Sequence, residues 1–196
     1  MLIGFWALRL GIYIACRVAR GPEDTRYVLL RESWGAAFAA RLFWFLQLQA
    51  VCAIFLGVSI LVAARNPAPN PLLDLWGVAV LIVAILGEAV ADRQLAGFKA
   101  DPKNKGRICE RGLWSWSRHP NYFFEWLGWW AYPILAVAPD YPMGWLAAIG
   151  PLLMYLILAH GTGVPPLEEH LLRSRGLSYK AYQRRTNAFI PGPPRR

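Results

Sequence analysis

The sequence lacks the motifs that soluble nucleotide-dependent and metal-dependent enzymes usually carry. It contains no G-x-G-x-x-G fingerprint, no P-loop and no H-E-x-x-H pair. Its three cysteines, Cys16, Cys52 and Cys109, show no metal-ligand spacing, and their odd number argues against a disulfide framework. Soluble nucleotide folds and a metal site are therefore not indicated, and nothing supports a catalytic thiol.

Charge is also scarce, and acidic charge most of all. Only 17% of the residues are charged, with 12 Asp and Glu against 21 Lys and Arg, while 56% are hydrophobic and the mean hydropathy is +0.30. A bilayer core is crossed by about 20 apolar helical residues. The apolar runs lie at residues 2–16, 42–64, 72–91, 122–138 and 145–160. The sequence therefore predicts an all-α integral membrane bundle of about five transmembrane helices, forming a single domain over residues 1–196.

The basic residues are confined to alternate loops. Five lie in residues 17–41, seven in 92–121 and seven in 161–196, which leaves only Arg9 and Arg65 elsewhere. Cytoplasmic loops carry the excess of Lys and Arg in membrane proteins. We therefore predict an external N-terminus and a cytoplasmic C-terminus, with a bacterial inner membrane as the expected location. Membrane topology also explains the high pI, so no nucleic-acid partner is expected.

The last cytoplasmic segment contains a helical pattern at residues 167–176. Pro165 and Pro166 are typical of a helix start, and Gly176 of a helix end. This segment is predicted to form an amphipathic cytoplasmic helix that lies against the membrane or the other loops.

Two carboxylates lie near the cytoplasmic end of the third apolar run. Glu88 and Asp92 are four residues apart, and Leu95 and Lys99 continue roughly the same helical face. An acid inside an apolar run is costly unless it faces the bundle interior or a wet cavity. These residues are therefore candidate site residues, the alternative being solvation of the helix end with a salt bridge to Lys99.

The stretch SRHPNYFFEWLGWW, residues 117–130, combines a predicted helix start with polar side chains. Pro120 is well placed at the first turn of a helix, whose free N–H groups would favour an anion beside Arg118 and His119. Next come an amide, a phenol and a carboxylate, from Asn121, Tyr122 and Glu125. An aromatic belt with a capping residue would explain the tryptophans but not the carboxylate.

Further candidates lie at the two ends of the chain. Arg9 and Tyr13 share one helical face in the first run, although a lone arginine can also snorkel to the surface. The tail contributes five further residues, each of which taken singly is more often structural: Glu168, Glu169, His170, Tyr179 and Tyr182. Three basic segments converging on one side suit a phosphate-bearing cytosolic cofactor, with a lipid-soluble substrate arriving from the bilayer.

Several motifs together resemble a known family. They are D-x-Q-L-x-x-F-K-x-D-P-x-N-K-G-R from residue 92, G-L-W-x-x-S-R-H-P-N-Y-F-x-E from 112, G-V-P-x-x-E from 163, Y-x-x-Y-x-x-x-T-x-A-F-I-P from 179 and L-R-L-x-x-Y from 8. The chain resembles the bacterial branch of the steroid 5-alpha-reductase superfamily, over nearly its whole length. This resemblance implies a membrane bundle that holds NADPH from the cytoplasmic side. Such a bundle reduces an activated carbon–carbon double bond of a steroid-like, isoprenoid or acyl lipid.

The resemblance also implies roles for individual residues. Asp92, Lys99, Asn121 and Glu125 fall on cofactor-contact positions, and Arg9 and Tyr13 on cofactor-side positions of the earlier helix. It places Arg118, His119 and Tyr122 near the phosphates or the nicotinamide. With Glu88, Leu95, Glu168 and Tyr179, these form the predicted cofactor site. The catalytic residue is unassigned, with Tyr122 and His119 as candidates.

Two departures from the family pattern leave alternatives open. The chain is expected to lack the family's first two helices, and Trp6 stands at the position of a substrate-binding tyrosine. The R-H-P-x-Y motif also occurs in isoprenylcysteine methyltransferases, so an S-adenosylmethionine-dependent membrane methyltransferase is one alternative. A non-catalytic lipid-binding bundle is another. Membrane lipids are the expected surroundings, and the oligomeric state is open.

Overall fold

The structure is a computed structural model that describes residues 15, 25–68 and 70–195. The predicted first helix, residues 2–16, and the site candidates Arg9 and Tyr13 lie outside these residues. The described part of the chain is helical and contains no β-strand. It divides into two compact units, Met1–Val51 and Cys52–Arg196.

The helices of the described chain are numbered in order. They are α1 (Thr25–Trp34), α2 (Phe38–Ala64), α3 (Pro71–Ala100), α4 (Pro120–Trp129), α5 (Ala131–Ala136), α6 (Ile149–Tyr155), α7 (Val164–Arg175) and α8 (Leu177–Arg185). Short 3-10 turns lie at Gly35–Ala37, Pro102–Asn104, Gly112–Ser115 and Pro142–Ala148, and a π-helical turn at Leu156–His160.

Three stretches of the described chain are long and apolar enough to cross a membrane: Leu30–Ala64, Pro71–Ala100 and Pro142–Arg175. They contain the predicted runs 42–64, 72–91 and 145–160. Many large apolar side chains along α2 and α3 are exposed, among them Trp44, Ile54, Leu75 and Trp76. An exposed apolar surface of this extent is what a lipid-facing helix requires. The all-α membrane bundle is therefore confirmed.

The predicted run 122–138 is not one continuous helix. Helix α4 ends at Trp129 and α5 begins at Ala131. Pro133 explains the break, because a proline ring clashes with the carbonyl four residues earlier, here that of Trp129. Pro151 has the same effect in run 145–160, where a 3-10 turn lasts to Ala148 before α6 begins.

The unit Cys52–Arg196 is organised around the packing of α3 on α4 and α5. A Cβ on Gly87 would lie 2.4 Å from the Phe124 ring, and one on Gly77 would lie 2.6 Å from Leu135. Glycine at these positions therefore allows the helices to approach closely, as small residues do in membrane bundles. This packing sets the end of α3 beside the start of α4, where the polar residues lie.

The helix predicted at residues 167–176 is present, as α7. It begins at Val164, directly before Pro165 and Pro166, and ends at Arg175 with Gly176 in the left-handed region at φ 55°. Glycine adopts this conformation without steric conflict. The turn through Gly176 leads directly into α8.

Candidate functional site

The segment between α3 and α4 is fastened to α3. The Trp114 indole Nε1 donates to the Ala91 carbonyl at 2.9 Å, and the Leu113 backbone N–H donates to the Gln94 side chain at 2.9 Å. Trp114 is buried. These bonds fix the chain ahead of Pro120, the first residue of α4 as predicted, and so set the direction of the Arg118 and His119 side chains.

The C-terminal segment is fastened to the same place. The Ser117 hydroxyl donates to the Phe189 carbonyl at 2.9 Å, and the Arg118 backbone N–H donates to the Asn187 carbonyl at 2.9 Å. The buried Tyr182 hydroxyl donates to the Trp114 carbonyl at 2.5 Å. Residues distant in sequence therefore form one wall, with the chain after α8 closing against the chain before α4.

Arg118, His119 and Glu168 form a buried cluster within this wall. The Arg118 Nε lies 2.6 Å from Glu168 Oε1, with exposed side-chain fractions of 9% and 15%. His119, 1% exposed, brings its Nε2 to 3.2 Å from the same oxygen, and Gln183 donates to the other oxygen at 2.9 Å. Because a carboxylate only accepts hydrogen bonds, His119 Nε2 carries the proton in this contact. The His119 ring also stacks on Tyr122, with centroids 5.7 Å apart.

A cavity of about 410 Å³ opens beside this wall, at the Ala100 end of α3. This volume is in the range of small-molecule sites. Its inner surface carries buried residues, namely Asn104, Cys109, Trp114, His119, Tyr179 and Tyr182. Apolar side chains such as Leu95, Phe98 and Ile108 continue it, and Arg118 also reaches it. The planar apolar groups of a ligand can therefore pack on this surface.

Four exposed cations surround the opening, and we call them the rim cations. They are Lys99, Lys105, Arg107 and Arg175. None of them forms an ion pair with a carboxylate in the part of the chain that the structure describes. Of the acids near the opening, Glu168, Glu169 and Glu110 pair with Arg118, Arg173 and Arg185, and Asp101 accepts a hydrogen bond from the Lys103 backbone N–H. The opening of the cavity is therefore surrounded by cations that form no ion pair with a described acid.

Burial raises the pKa of three acidic groups on the inner surface. It raises the pKa of the Cys109 thiol, and it raises the pKa values of Tyr179 and Tyr182 strongly. All three groups are therefore neutral at physiological pH, and Cys109 is a poor nucleophile. The Tyr179 hydroxyl is buried close to Arg118 and Glu168, and it forms no hydrogen bond of good geometry within residues 25–68 and 70–195. Because a buried hydroxyl without a well-placed partner is costly, this group can accept or donate a hydrogen bond at the cavity surface.

A second polar group lies between α3 and α4. The Asn121 Nδ2 donates to Asp92 Oδ1 at 3.3 Å, and Glu125 lies close enough to Glu88 and Asp92 for their charges to interact. All three carboxylates are without an ion-pair partner in the described chain. These four residues do not line the cavity, so they form a separate polar cluster on the same pair of helices.

Comparison with known families shows to which family the chain belongs. The family described as "Protein of unknown function (DUF1295)" matches residues 1–186. The chain belongs to this family. The DUF1295 family is the steroid 5-alpha-reductase-like group, a membrane reductase-like family. No curated protein and no solved structure matches the chain significantly.

The structure divides the predicted site residues of this DUF1295 chain into two groups. Leu95, Lys99, Arg118, His119 and Tyr179 line the cavity, and Glu168 lies behind it. Glu88, Asp92, Asn121 and Glu125 form the second group, and Tyr122 joins α4 to the cavity by stacking on His119. Of the predicted alternative, the salt bridge from Asp92 or Glu88 to Lys99 does not form, whereas Asp92 is exposed, as solvation of the helix end requires.

Several cavity residues were missed from the sequence. They are Lys105, Arg107 and Arg175 at the opening and Asn104, Cys109 and Trp114 inside. The loop D-P-x-N-K-G-R, which resembles the family, contained the signal for three of them. No sequence pattern distinguishes Arg175 from its neighbour Arg173, because only the folded chain shows which arginine faces the cavity.

Proposed function

We propose that this chain is a membrane oxidoreductase that uses NADPH to reduce an activated carbon–carbon double bond of a steroid-like, isoprenoid or acyl lipid. The observation that carries the proposal is the cavity at the end of α3, whose four rim cations have no described acid partner. Membership of the steroid 5-alpha-reductase-like group supports the reaction class.

The side chains of the cavity fit NADPH. NADPH bears three phosphate groups, and lysine and arginine side chains are the residues that bind phosphate in proteins. The planar rings of NADPH match the cavity surface, which contains Phe98, Trp114 and Tyr182. The buried Tyr179 hydroxyl can form a hydrogen bond with the cofactor. S-adenosylmethionine carries no phosphate and a net positive charge, so a cationic opening disfavours the methyltransferase alternative.

The second polar group would hold the reactive end of the cofactor. Asn121 offers both a donor and an acceptor, and Glu125 offers acceptors, which together suit a carboxamide. When bound, NADPH supplies a hydride, and the protein orients the reacting groups. Tyr122 and His119 remain the candidates for handling the proton, because the stacking of their rings holds them beside both groups.

The location follows from the same arrangement. The basic loops are proposed to face the cytoplasm, which would put the rim cations in contact with a water-soluble cofactor. The exposed apolar surfaces of α2 and α3 would face lipid, from which a hydrophobic substrate enters. Of partners, we therefore expect membrane lipids and a lipid-soluble substrate, and no nucleic acid.

Titration of the purified protein in detergent tests this proposal through its tryptophan fluorescence. We expect NADPH to bind, and S-adenosylmethionine not to bind. The variants Asn121→Ala and Glu125→Ala should weaken NADPH binding by about tenfold or more, the value of a lost charge-assisted hydrogen bond. Glu169→Ala, which removes an exposed carboxylate on α7, is the control and should bind normally.

Other binding results would contradict the proposal. Binding of S-adenosylmethionine without NADPH would establish the methyltransferase alternative, and binding of neither would favour the non-catalytic bundle. Normal NADPH affinity in both variants would remove Asn121 and Glu125 from the site.

A further inference from the structure

The chain after α8 packs back onto the apolar part of the protein. Phe189 is buried, and the centroid of its ring lies 5.8 Å from that of Trp126 and 5.6 Å from that of Tyr155. Trp126 is six residues beyond Pro120, which is about 9 Å along α4. Tyr155 belongs to Pro142–Arg175, one of the stretches that can cross a membrane. The segment around Phe189 therefore lies beside two helices of the membrane bundle.

Two large apolar side chains are exposed on this side of the protein. Besides the bond from Ser117 to the Phe189 carbonyl, the Gly192 backbone N–H donates to the Trp116 carbonyl at 3.0 Å. The stretch ahead of α4 and the tail are thus joined along their length. Trp116 is 52% exposed and Ile190 is 57% exposed. Single exposed apolar side chains are common on proteins, but these two occupy paired stretches next to the membrane helices.

A cation lies at the end of the same paired stretches. The Arg195 backbone N–H donates to the Arg185 carbonyl at 2.8 Å, and its guanidinium donates to Asn187 Oδ1 at 3.2 Å. Arg185 is paired with Glu110 at 2.9 Å. Arg195 is exposed and forms no ion pair with an acid in residues 25–68 and 70–195. Its charge is therefore available to an anion outside the protein.

We propose that Trp116, Ile190 and Arg195 form a lipid-binding surface, here called the tail surface, that enters the membrane interface and contacts anionic phospholipid headgroups. Tryptophan is enriched at this depth because its ring is apolar and its N–H is polar. A guanidinium binds phosphate well and is attracted to an anionic leaflet. None of the three residues lines the cavity, so the tail surface would bind lipid whether or not the protein binds NADPH.

Fluorescence quenching of the full chain in phosphatidylcholine nanodiscs tests the position of Trp116. Lipids brominated near the headgroup quench tryptophans in the membrane interface, whereas iodide quenches those in water. We expect Trp116→Phe to lose fluorescence that brominated lipid quenches and none that iodide quenches. Trp76→Phe, which removes an exposed tryptophan of the membrane helix α3, is the matched control and should show a comparable loss. A loss confined to iodide-quenched fluorescence would place Trp116 in water and overturn the proposal.

The headgroup preference is tested by choosing which lipid carries the bromine. In mixed nanodiscs, we expect brominated phosphatidylglycerol to be enriched about fivefold over brominated phosphatidylcholine around Trp116, the preference that one arginine provides at a charged surface. Arg195→Gln should abolish this enrichment. Arg65→Gln is the control, because it removes an exposed cation beside the Asn66–Leu135 contact, at the opposite end of the α4–α5 pair, and should leave the enrichment unchanged. Equal quenching by the two lipids in the wild type, or enrichment that persists in Arg195→Gln, would overturn the assignment of Arg195 to anionic headgroups.

Discussion

Two arginines of the cavity have the same charge and opposite surroundings. Arg118 is nearly buried, pairs with Glu168 and donates two further hydrogen bonds, to the carbonyls of Gln183 and Thr186. Arg175 is exposed at the opening and forms no ion pair with a described residue. Both lie in a basic segment of the sequence, yet one holds the protein together and the other is available to a ligand.

The difference follows from the cost of removing charge from water. A buried guanidinium is tolerated only with an acid and with acceptors for its remaining N–H groups, and Arg118 has both. An exposed guanidinium retains its hydration, so it needs no partner in the protein. Cations that form no ion pair within the protein are therefore the ones available to bind an anion. This distinction separates the exposed rim cations from the buried Arg118.

The largest effect is expected from breaking the buried pair. Arg118→Ala leaves Glu168 buried without its main partner and should lower the free energy of unfolding by about 3–5 kcal/mol. Thermal unfolding followed by tryptophan fluorescence in detergent measures this change. Arg173→Ala is the control, because its pair with Glu169 is 77% and 63% exposed and should contribute nothing measurable. Equal stability of the two variants would show that Arg118 has no structural role.

A smaller effect separates two tyrosines of the inner surface. Tyr182→Phe removes the hydroxyl that donates to the buried Trp114 carbonyl and should cost about 1–3 kcal/mol. Tyr179→Phe removes a hydroxyl that satisfies no hydrogen bond in the described chain, so the unfolding free energy should stay the same or increase. The same unfolding experiment compares them. A larger loss in Tyr179→Phe would mean that its hydroxyl is part of the wall and is not available to a ligand.

The sequence was informative wherever a local signal decides the structure. Pro120 and the pair Pro165–Pro166 correctly placed two helix starts, and Gly176 placed a helix end. These residues act through their own backbone geometry, which needs no knowledge of the fold. The predicted continuous helix 122–138 is wrong, because the hydrophobic pattern runs on through Pro133 whereas the helix breaks there.

The site was less predictable because its charges are sorted by tertiary contacts. Arg118 was expected near the cofactor on the basis of its motif, and the motif does bring it to the cavity. Its engagement by Glu168, fifty residues later, is a property of the folded chain alone. In the same way, the opening combines residues 99–107 with Arg175, and sequence spacing does not report that proximity.

The smallest of the predicted effects tests whether the conformation of the loop around Gly106 positions the rim cations. Gly106→Ala places a Cβ at φ 84°, which is strained for any L-residue and should cost about 1–2 kcal/mol. We expect the loop to move to relieve this strain, which would separate Arg107 from Arg175. NADPH affinity should therefore fall in a fluorescence titration. The control is Gly97→Ala on α3, where a Cβ meets nothing within 4 Å and alanine favours the helix. If Gly106→Ala lowers stability but leaves the NADPH affinity unchanged, the rim cations act through their charge alone, and the loop conformation does not position them.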